Sequence, residues 1–436
     1  MGSAPRVKPP TRWLSAGSLA GIVLFLALTS CHQKPTQSLG DDTATDFGKP
    51  NAIIVPSVPD DHLNVAFALI TDTHLDCSYA GEIPDSDHIY RDTYAALRNR
   101  YCVDYLNSQI HQPPWGLLNG VVHLGDMIDI HSRVQYLISL RQYWEHDYPG
   151  IDGGAIAGAS DSDYNAYCLG HRTELVMFPG LGNHDVPNPS AVSHYVEYYD
   201  DDLIRQGTGI KRYYESNELS TGPVITAYTW RWGKYYFVQL GQWAGSGLYK
   251  ELGYTDTNKL EWLGQVLADD AGDSLGVVLF QHYGFDTTAS AGYWNTDQQR
   301  MMLNVLCRRP IDDTTWRQPD ARPPYKVLGV FTGHTHEQST CRVYAGLAVY
   351  DTLVPNLGDT MWINNVVLRA TGKLDADGSG NYGFSIVELT ARQLGQGYDF
   401  DPMKVHDAWT SDGSTWTWDL REPELGWWYS TRENRR

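Results

Sequence analysis

Several kinds of signal are missing from this chain, and each absence removes a class of function. No Lys/Arg-rich block appears, and 33 Lys and Arg stand against 52 Asp and Glu for a formal net charge of −19. Nucleic acid and anionic membrane faces are held chiefly by cationic side chains, so neither is an expected binding partner. The six cysteines include no CxxC spacing, which disfavours a thiolate zinc centre. G-x-S-x-G, Walker and dinucleotide fingerprints are also absent, which argues against a serine hydrolase, a P-loop enzyme and a nicotinamide or flavin enzyme. Aromatic residues, by contrast, are plentiful: 15 Trp and 28 Tyr exceed the needs of a core and point to aromatic surface in loops or a cleft. With 436 residues at 42% hydrophobic content, the chain can bury a sizeable core as one large α/β domain or two ordinary ones.

The N-terminus reads as an address. Arg6, Lys8 and Arg12 precede the apolar stretch Leu19 to Leu28, which is too short for a mature membrane span but suits a signal-peptide core. Leu28-Thr29-Ser30-Cys31 follows and resembles a bacterial lipobox, so residues 1–30 are expected to be a lipoprotein signal peptide and Cys31 the lipidated first residue. Removing them leaves a net charge near −22. The expected location is extracytoplasmic, lipid-anchored to the cell envelope, with the outer membrane favoured because His32, not aspartate, follows the cysteine. Residues 31–62 are polar and read as a flexible tether with a reach of roughly 30 Å. An oxidising compartment could pair four of Cys77, Cys102, Cys168, Cys307 and Cys341 and leave one, in a pattern left open.

Residues 63–436 form the expected folded domain. Five short apolar runs end in polar turns: Val65–Ile70 in Thr71-Asp72-Thr73-His74, Gly120–Leu124 in Gly125-Asp126-Met127-Ile128-Asp129, and Leu175–Phe178 shortly before Gly182-Asn183-His184-Asp185. Val277–Phe280 ends in Gln281-His282, and Val327–Phe331 in Thr332-Gly333-His334-Thr335-His336. Continuous runs of this kind suit strands buried on both faces, with the site beyond their carboxyl ends. Arg91 to Gln109 has helical spacing, and Val224 to Gly241 reads as an aromatic hairpin about Trp232-Gly233-Lys234. Met361–Arg369 and Tyr382–Leu389 read as strands joined by a hairpin turn at Asp375–Gly380; a calcium loop there would need glutamate where Ile386 stands. The expected fold is α/β (α+β), two mixed sheets face to face with helices outside. Stretches at about 131–174 and 186–222 read as insertions that could wall or cover a site.

The strand ends collect Asp72, His74, Asp126, Asn183, His184, His282, His334 and His336. Carboxylates, an amide oxygen and imidazoles together suit divalent first-row metals such as Mn, Fe or Zn. Two metals about 3.5–4 Å apart need a shared carboxylate, and Asp126 is the natural bridge.

In this order the blocks TDTH, GDMID, GNHD, the isolated His282 and GHTH resemble those of the calcineurin-like metallophosphoesterase family, over roughly residues 64–390. The resemblance implies a four-layer αββα sandwich and two metals, one held by Asp72, His74, Asp126 and His336, the other by Asp126, Asn183, His282 and His334. It implies that a metal-bridging hydroxide attacks a phosphate ester, monoesters slightly ahead of diesters, while His184 protonates the leaving group. Asp185 is suited to polarise His184, and Asp129 to support the ligands as a neighbouring carboxylate. His74 stands where purple acid phosphatases follow a tyrosine arrangement, so an iron–tyrosinate colour is not implied. His123, inside an apolar run, reads as a satisfied core histidine, and His131, His146, Arg172, His194 and Arg212 as solvated loop residues. The alternatives are a phosphodiesterase on the same site or a non-catalytic envelope binding protein that keeps the fold. A metallo-β-lactamase-type hydrolase is disfavoured because its H-x-H-x-D-H block is absent.

Overall fold

A computed structural model gives the structure of the chain. The structure describes residues 62–74, 94–110, 112, 115, 118–127, 173–185, 210–216, 223–242, 258–285, 296–312, 324–336, 338–344, 347–350, 362–372, 380–395 and 397–423. Outside them lie residues 1–61 with Cys31, then Cys77, Asp129, His131, His146, Cys168, Arg172 and His194, and most of both expected insertions.

Strands β1 (Asn64–Ile70), β2 (Leu118–His123) and β3 (Met177–Phe178) lie side by side in parallel. They continue, antiparallel, into β12 (Tyr382–Leu394), β14 (Lys404–Thr410) and β15 (Thr417–Arg421), with β13 (Gly397–Phe400) folded back on the end of β12. The first sheet thus has the order β15-β14-β12-β1-β2-β3. In the second sheet β6 (Tyr235–Gln239), β7 (Gly276–Phe280), β8 (Val327–Thr332) and β11 (Trp362–Val367) run parallel. Antiparallel strands flank them: β5 (Pro223–Trp232) and β4 (Lys211–Ser216) on one side, β9 (Ser339–Tyr344) and β10 (Leu347–Tyr350) on the other. The stretch expected to be the second insertion therefore ends in an edge strand of this sheet. The aromatic hairpin forms as expected, because Gly233 takes φ 53° in the two-residue turn between Trp232 and Tyr235.

The sheets face each other through aromatic rings. Phe67 of β1, fully buried, meets the rings of Trp232, Phe237, Phe280 and Phe331 at centroid separations of 5.6, 5.4, 5.9 and 6.5 Å. One side chain of the first sheet thereby touches four strands of the second. Helices cover the outer faces. On the first sheet, α1 (Tyr94–Gln109) stacks Tyr105 on Trp416 at 4.2 Å and buries Cys102. On the second, α2 (Asn258–Asp270) packs against α3 (Thr296–Leu306) and ties itself to β4 through a buried Lys259–Glu215 ion pair of 2.9 Å. The layers are αββα, as expected.

Two expectations are corrected. Met361–Arg369 and Tyr382–Leu389 do not form a hairpin: β11 sits between β9 and β8 in the second sheet, while β12 sits between β14 and β1 in the first. Both runs are apolar because both are buried, and burial does not say in which sheet. Four-cysteine pairing also fails, because the buried Cys102 and Cys307 make no disulfide, which leaves three of the five candidates. Burial pushes both thiols up, that of Cys307 to about 12, so neither is a reactive thiolate.

Since Phe67 carries the contact between the sheets, Phe67→Ala should cost about 3–5 kcal/mol, read from the urea midpoint at unchanged slope. A loss below about 1 kcal/mol would be incompatible with that packing.

Candidate metal centre

All five expected strand ends belong to parallel strands, β1, β2 and β3 in the first sheet and β7 and β8 in the second, so their loops emerge at one end of the sandwich. Backbone bonds join neighbouring loops: Asp72 N–H donates to Gly125 O at 3.0 Å, His74 N–H to Asp126 O at 3.1 Å, and Gly333 N–H to His282 O at 3.0 Å. Side chains then join the two sheets. Gln239 donates to His123 O at 2.9 Å, Gln242 to Gly182 O at 3.3 Å, and His282 Nδ1 to Leu124 O at 3.1 Å.

The loops end in unusual backbone. Asp72, His74, Asp126, His334 and His336 have φ of 50°, 35°, 55°, 72° and 61°; among the described residues only Arg308 joins them as a non-glycine at positive φ. Such residues cost about 1–3 kcal/mol each and persist where surrounding structure over-determines them. Here the packing is close enough to do so. A Cβ on Gly182 would collide with Asp126, and one on Gly372 with the carbonyl of Thr73. The segment from β11 to β12 provides that second contact, since Thr371 N–H donates to Thr71 O and Gly372 N–H to Asp72 O.

The side chains converge on Asp126. Its Oδ1 accepts the His184 backbone N–H at 2.8 Å. Its Oδ2 faces three imidazoles, with His282 Nε2 at 3.1 Å, His74 Nε2 at 3.4 Å and His184 Nε2 at 4.0 Å. Asp72 Oδ1 lies 3.4 Å from His336 Nε2 and 3.7 Å from His74 Nε2, while its Oδ2 accepts from Thr71 Oγ1 at 2.7 Å and His334 N–H at 3.0 Å. Three groups result whose ligand atoms lie within 4.8 Å of one another: Asp72 with His74 and His336, His74 with Asp126 and His184, and Asp126 with His282 and His334. Asn183 joins the last, its Oδ1 standing 3.1 Å from His282 Nε2. His184 is a third exposed on the open side of the cluster, with its ring 4.8 Å from that of His74.

Divalent metals fit this donor set. His282 gives its Nδ1 proton to a carbonyl, so a neutral ring turns the Nε2 lone pair toward two oxygens, Asp126 Oδ2 and Asn183 Oδ1. That arrangement calls for a positive charge, a proton or a cation. Asp72 Oδ1 is buried and accepts no hydrogen bond among the described residues, leaving a charged lone pair for a cation to fill. Electrostatics agree. Burial pushes the Asp72 carboxyl up, but His336 and His74 outweigh it and hold it well below the usual range; for Asp126, His282 and His74 do the same. Burial pushes His282 down, but Asp126 raises it further. His334 is lowered to about 4 by burial and by His282, so its ring is neutral at physiological pH.

The sequence did not expose the supporting residues. Asp185, read as a partner for His184, is fully buried with Oδ1 accepting Met127 N–H at 2.9 Å and Oδ2 accepting Gly182 N–H at 2.8 Å. It pins the second loop to the third. His123 is the satisfied core histidine its setting suggested: Nδ1 accepts Gly125 N–H at 3.0 Å, Nε2 donates to Thr73 Oγ1 at 2.9 Å, and Thr73 passes its proton on to Met127 O. From α1, Asn99 donates to Thr73 O at 3.0 Å. Only His123 carried a signal, as a polar residue inside an otherwise apolar run. Arg212 lies on β4 with its guanidinium on Ile210 O.

No protein-family model matches the chain, and no curated protein matches it. Among solved structures it is similar to several chains. One of them is the calcineurin-like phosphoesterase YfkN from Bacillus subtilis, 10% identical, with 83% of this chain and 91% of that chain covered at a TM-score of 0.35.

Because burial lowers His123 from 6.5 to about 3, the unfolded chain binds a proton between these values that the native state refuses. Stability of the metal-free protein should therefore fall as pH drops below 6.5, by about 1.4 kcal/mol per pH unit from His123, with His334 adding to it. His282, being raised, acts above 6.5 with the opposite sign, its contribution fading as pH rises through its folded value. Urea midpoints between pH 4 and 6.5 should show a shallower slope for His123→Gln than for wild type. Equal slopes would mean that native His123 takes up the proton.

Proposed function

We propose that this chain hydrolyses phosphoric esters with two divalent first-row cations, monoesters ahead of diesters. The observation that carries the reading is that Asp126, whose Oδ2 lies within 4.0 Å of His74, His184 and His282, belongs to two possible ligand groups at once, one with His74 and His184 and one with His282 and His334. On this reading Asp72, His74, Asp126 and His336 hold one cation, and Asp126, Asn183, His282 and His334 the other. Bound there, the pair supplies positive charge for phosphate oxygens and a water acidified enough to attack phosphorus in line.

The remaining work falls to side chains. His184 reaches solvent on the open side of the cluster while its backbone N–H is fixed to Asp126 Oδ1; it donates a proton to the departing ester oxygen. The buried imidazoles of His74 and His282 face carboxylate oxygen and stay with the cations instead. Asp185 keeps His184 in place by tying Gly182 to Met127, and Asp129 is assigned a supporting carboxylate role beside the second loop. The choice between a monoester and a second ester arm is assigned, on this reading, to the stretches at 131–174 and 186–222. Lipidation of Cys31 would hold the enzyme outside the cytoplasm.

His184→Ala should lower kcat by about 10²–10⁴-fold with metal content unchanged, whereas Asp126→Ala should lose metal as well. Aryl phosphate monoester and diester, assayed in parallel on metal-reconstituted protein, check both. Unchanged turnover in His184→Ala would remove the proton-donor role. Hydrolysis of neither ester by protein holding two metals would replace the enzyme reading with that of a binding scaffold.

A further inference from the structure

Strands β14 and β15 supply no ligand to the cluster, yet their side chains cross to the second sheet where the chain leaves His336. Gln338, two residues after His336, donates Nε2–H to Asp407 Oδ2 at 2.7 Å, and its Oε1 accepts from Arg369 at 2.9 Å. Asp407 is buried on β14, and Arg421, the last residue of β15, grips it with Nε at 2.6 Å and Nη2 at 2.7 Å. Ser385 donates to the same carboxylate. The third guanidinium nitrogen donates to Ser339 O at 2.9 Å and Val367 O at 3.1 Å. Ser339 and Val367 are paired in register at the ends of β9 and β11, so Arg421 closes that ladder from the opposite sheet.

We propose that Arg421, Asp407 and Gln338 form a clamp that positions the His334–His336 loop and sets the affinity of the cation held by Asp72 and His336. The inference rests on the two-cation reading above. The loop carries two histidines at positive φ, 72° and 61°, a backbone that relaxes unless it is held at both ends. Its entry is held within the site, by Gly333 N–H on His282 O and His334 N–H on Asp72 Oδ2. The clamp holds its exit. A two-pronged guanidinium–carboxylate pair fixes direction as well as distance. At 15% and 3% side-chain exposure for Arg421 and Asp407, water screens it little. His334 is closer to the held entry and packs against Tyr283 at 4.6 Å between ring centroids; His336 is nearer the exit, so its placement depends more on the clamp.

Gln338→Met keeps the length of the side chain and removes both amide bonds; Arg421→Lys keeps the charge and removes the fork. Titration of the full-length, metal-free chain with manganese(II), alongside its melting temperature without metal, reads the effect. His336→Ala identifies which binding step belongs to the Asp72–His336 cation. The expected result for Gln338→Met is a 10–100-fold weaker affinity in that step alone, with the other step at its wild-type value; Arg421→Lys should weaken the same step. Lower melting temperature with both affinities unchanged, or equal weakening of both steps, would overturn the clamp and leave a general brace between the sheets. Wild-type protein that binds fewer than two manganese ions would overturn the two-cation reading itself, and the clamp's role with it.

Discussion

A buried carboxylate, Asp126, facing several imidazoles at once is the constraint on which the rest of this structure depends. Charge taken out of water must be matched by opposite charge or by hydrogen bonds, and here both kinds of partner come from three loops other than its own. Oδ1 is satisfied locally by the backbone of the Asn183–His184 turn. Oδ2 is left to His74, His184 and His282, which arrive from β1, β3 and β7. Satisfying one atom therefore requires two sheets to end at the same level.

The sandwich meets that requirement in two ways. Aromatic packing about Phe67 sets the separation and direction of the sheets, and a row of side-chain amides and imidazole bonds at the site end sets their height relative to one another. With that height fixed, the left-handed backbone at five site residues becomes tolerable, because the collisions and hydrogen bonds around Gly182 and Gly372 leave little room for relaxation. Strain is thus concentrated where ligand direction matters and is offset by ordinary packing beneath it. The supporting polar groups, His123, Thr73, Asn99 and Asp185, act on backbone atoms and reach the site only through the loops that they hold.

Much of this was legible in the sequence. Continuous apolar runs ending in Asp and His identified the strands whose ends carry the cluster to within a few residues, because a strand buried on both faces has to be apolar throughout and the polar turn has to follow it. The hairpin about Gly233 was legible for a similar reason, since a two-residue turn of this kind needs a glycine where φ is positive. That β11 and β12 belong to different sheets was not legible: two buried strands look alike whichever neighbours they have, and only the strand order separates them. That Cys102 and Cys307 make no disulfide escaped for a related reason, because cysteine count constrains pairing only when the side chains can meet.

The site divides along the same line. By itself the sequence determined which residue types stand at the strand ends, and hence the donor set that could hold a cation, because donor identity is a property of single side chains and their local turns. It also marked His123 as a core residue, since an imidazole within an apolar run must be satisfied internally. Tertiary structure decided which oxygen of Asp126 is shared, that Asp185 holds backbone, and that Arg421 lies beside the exit of a loop more than eighty positions earlier in the chain. Those are relations between distant segments. They depend on the register and separation of two packed sheets, which no local pattern of residues encodes.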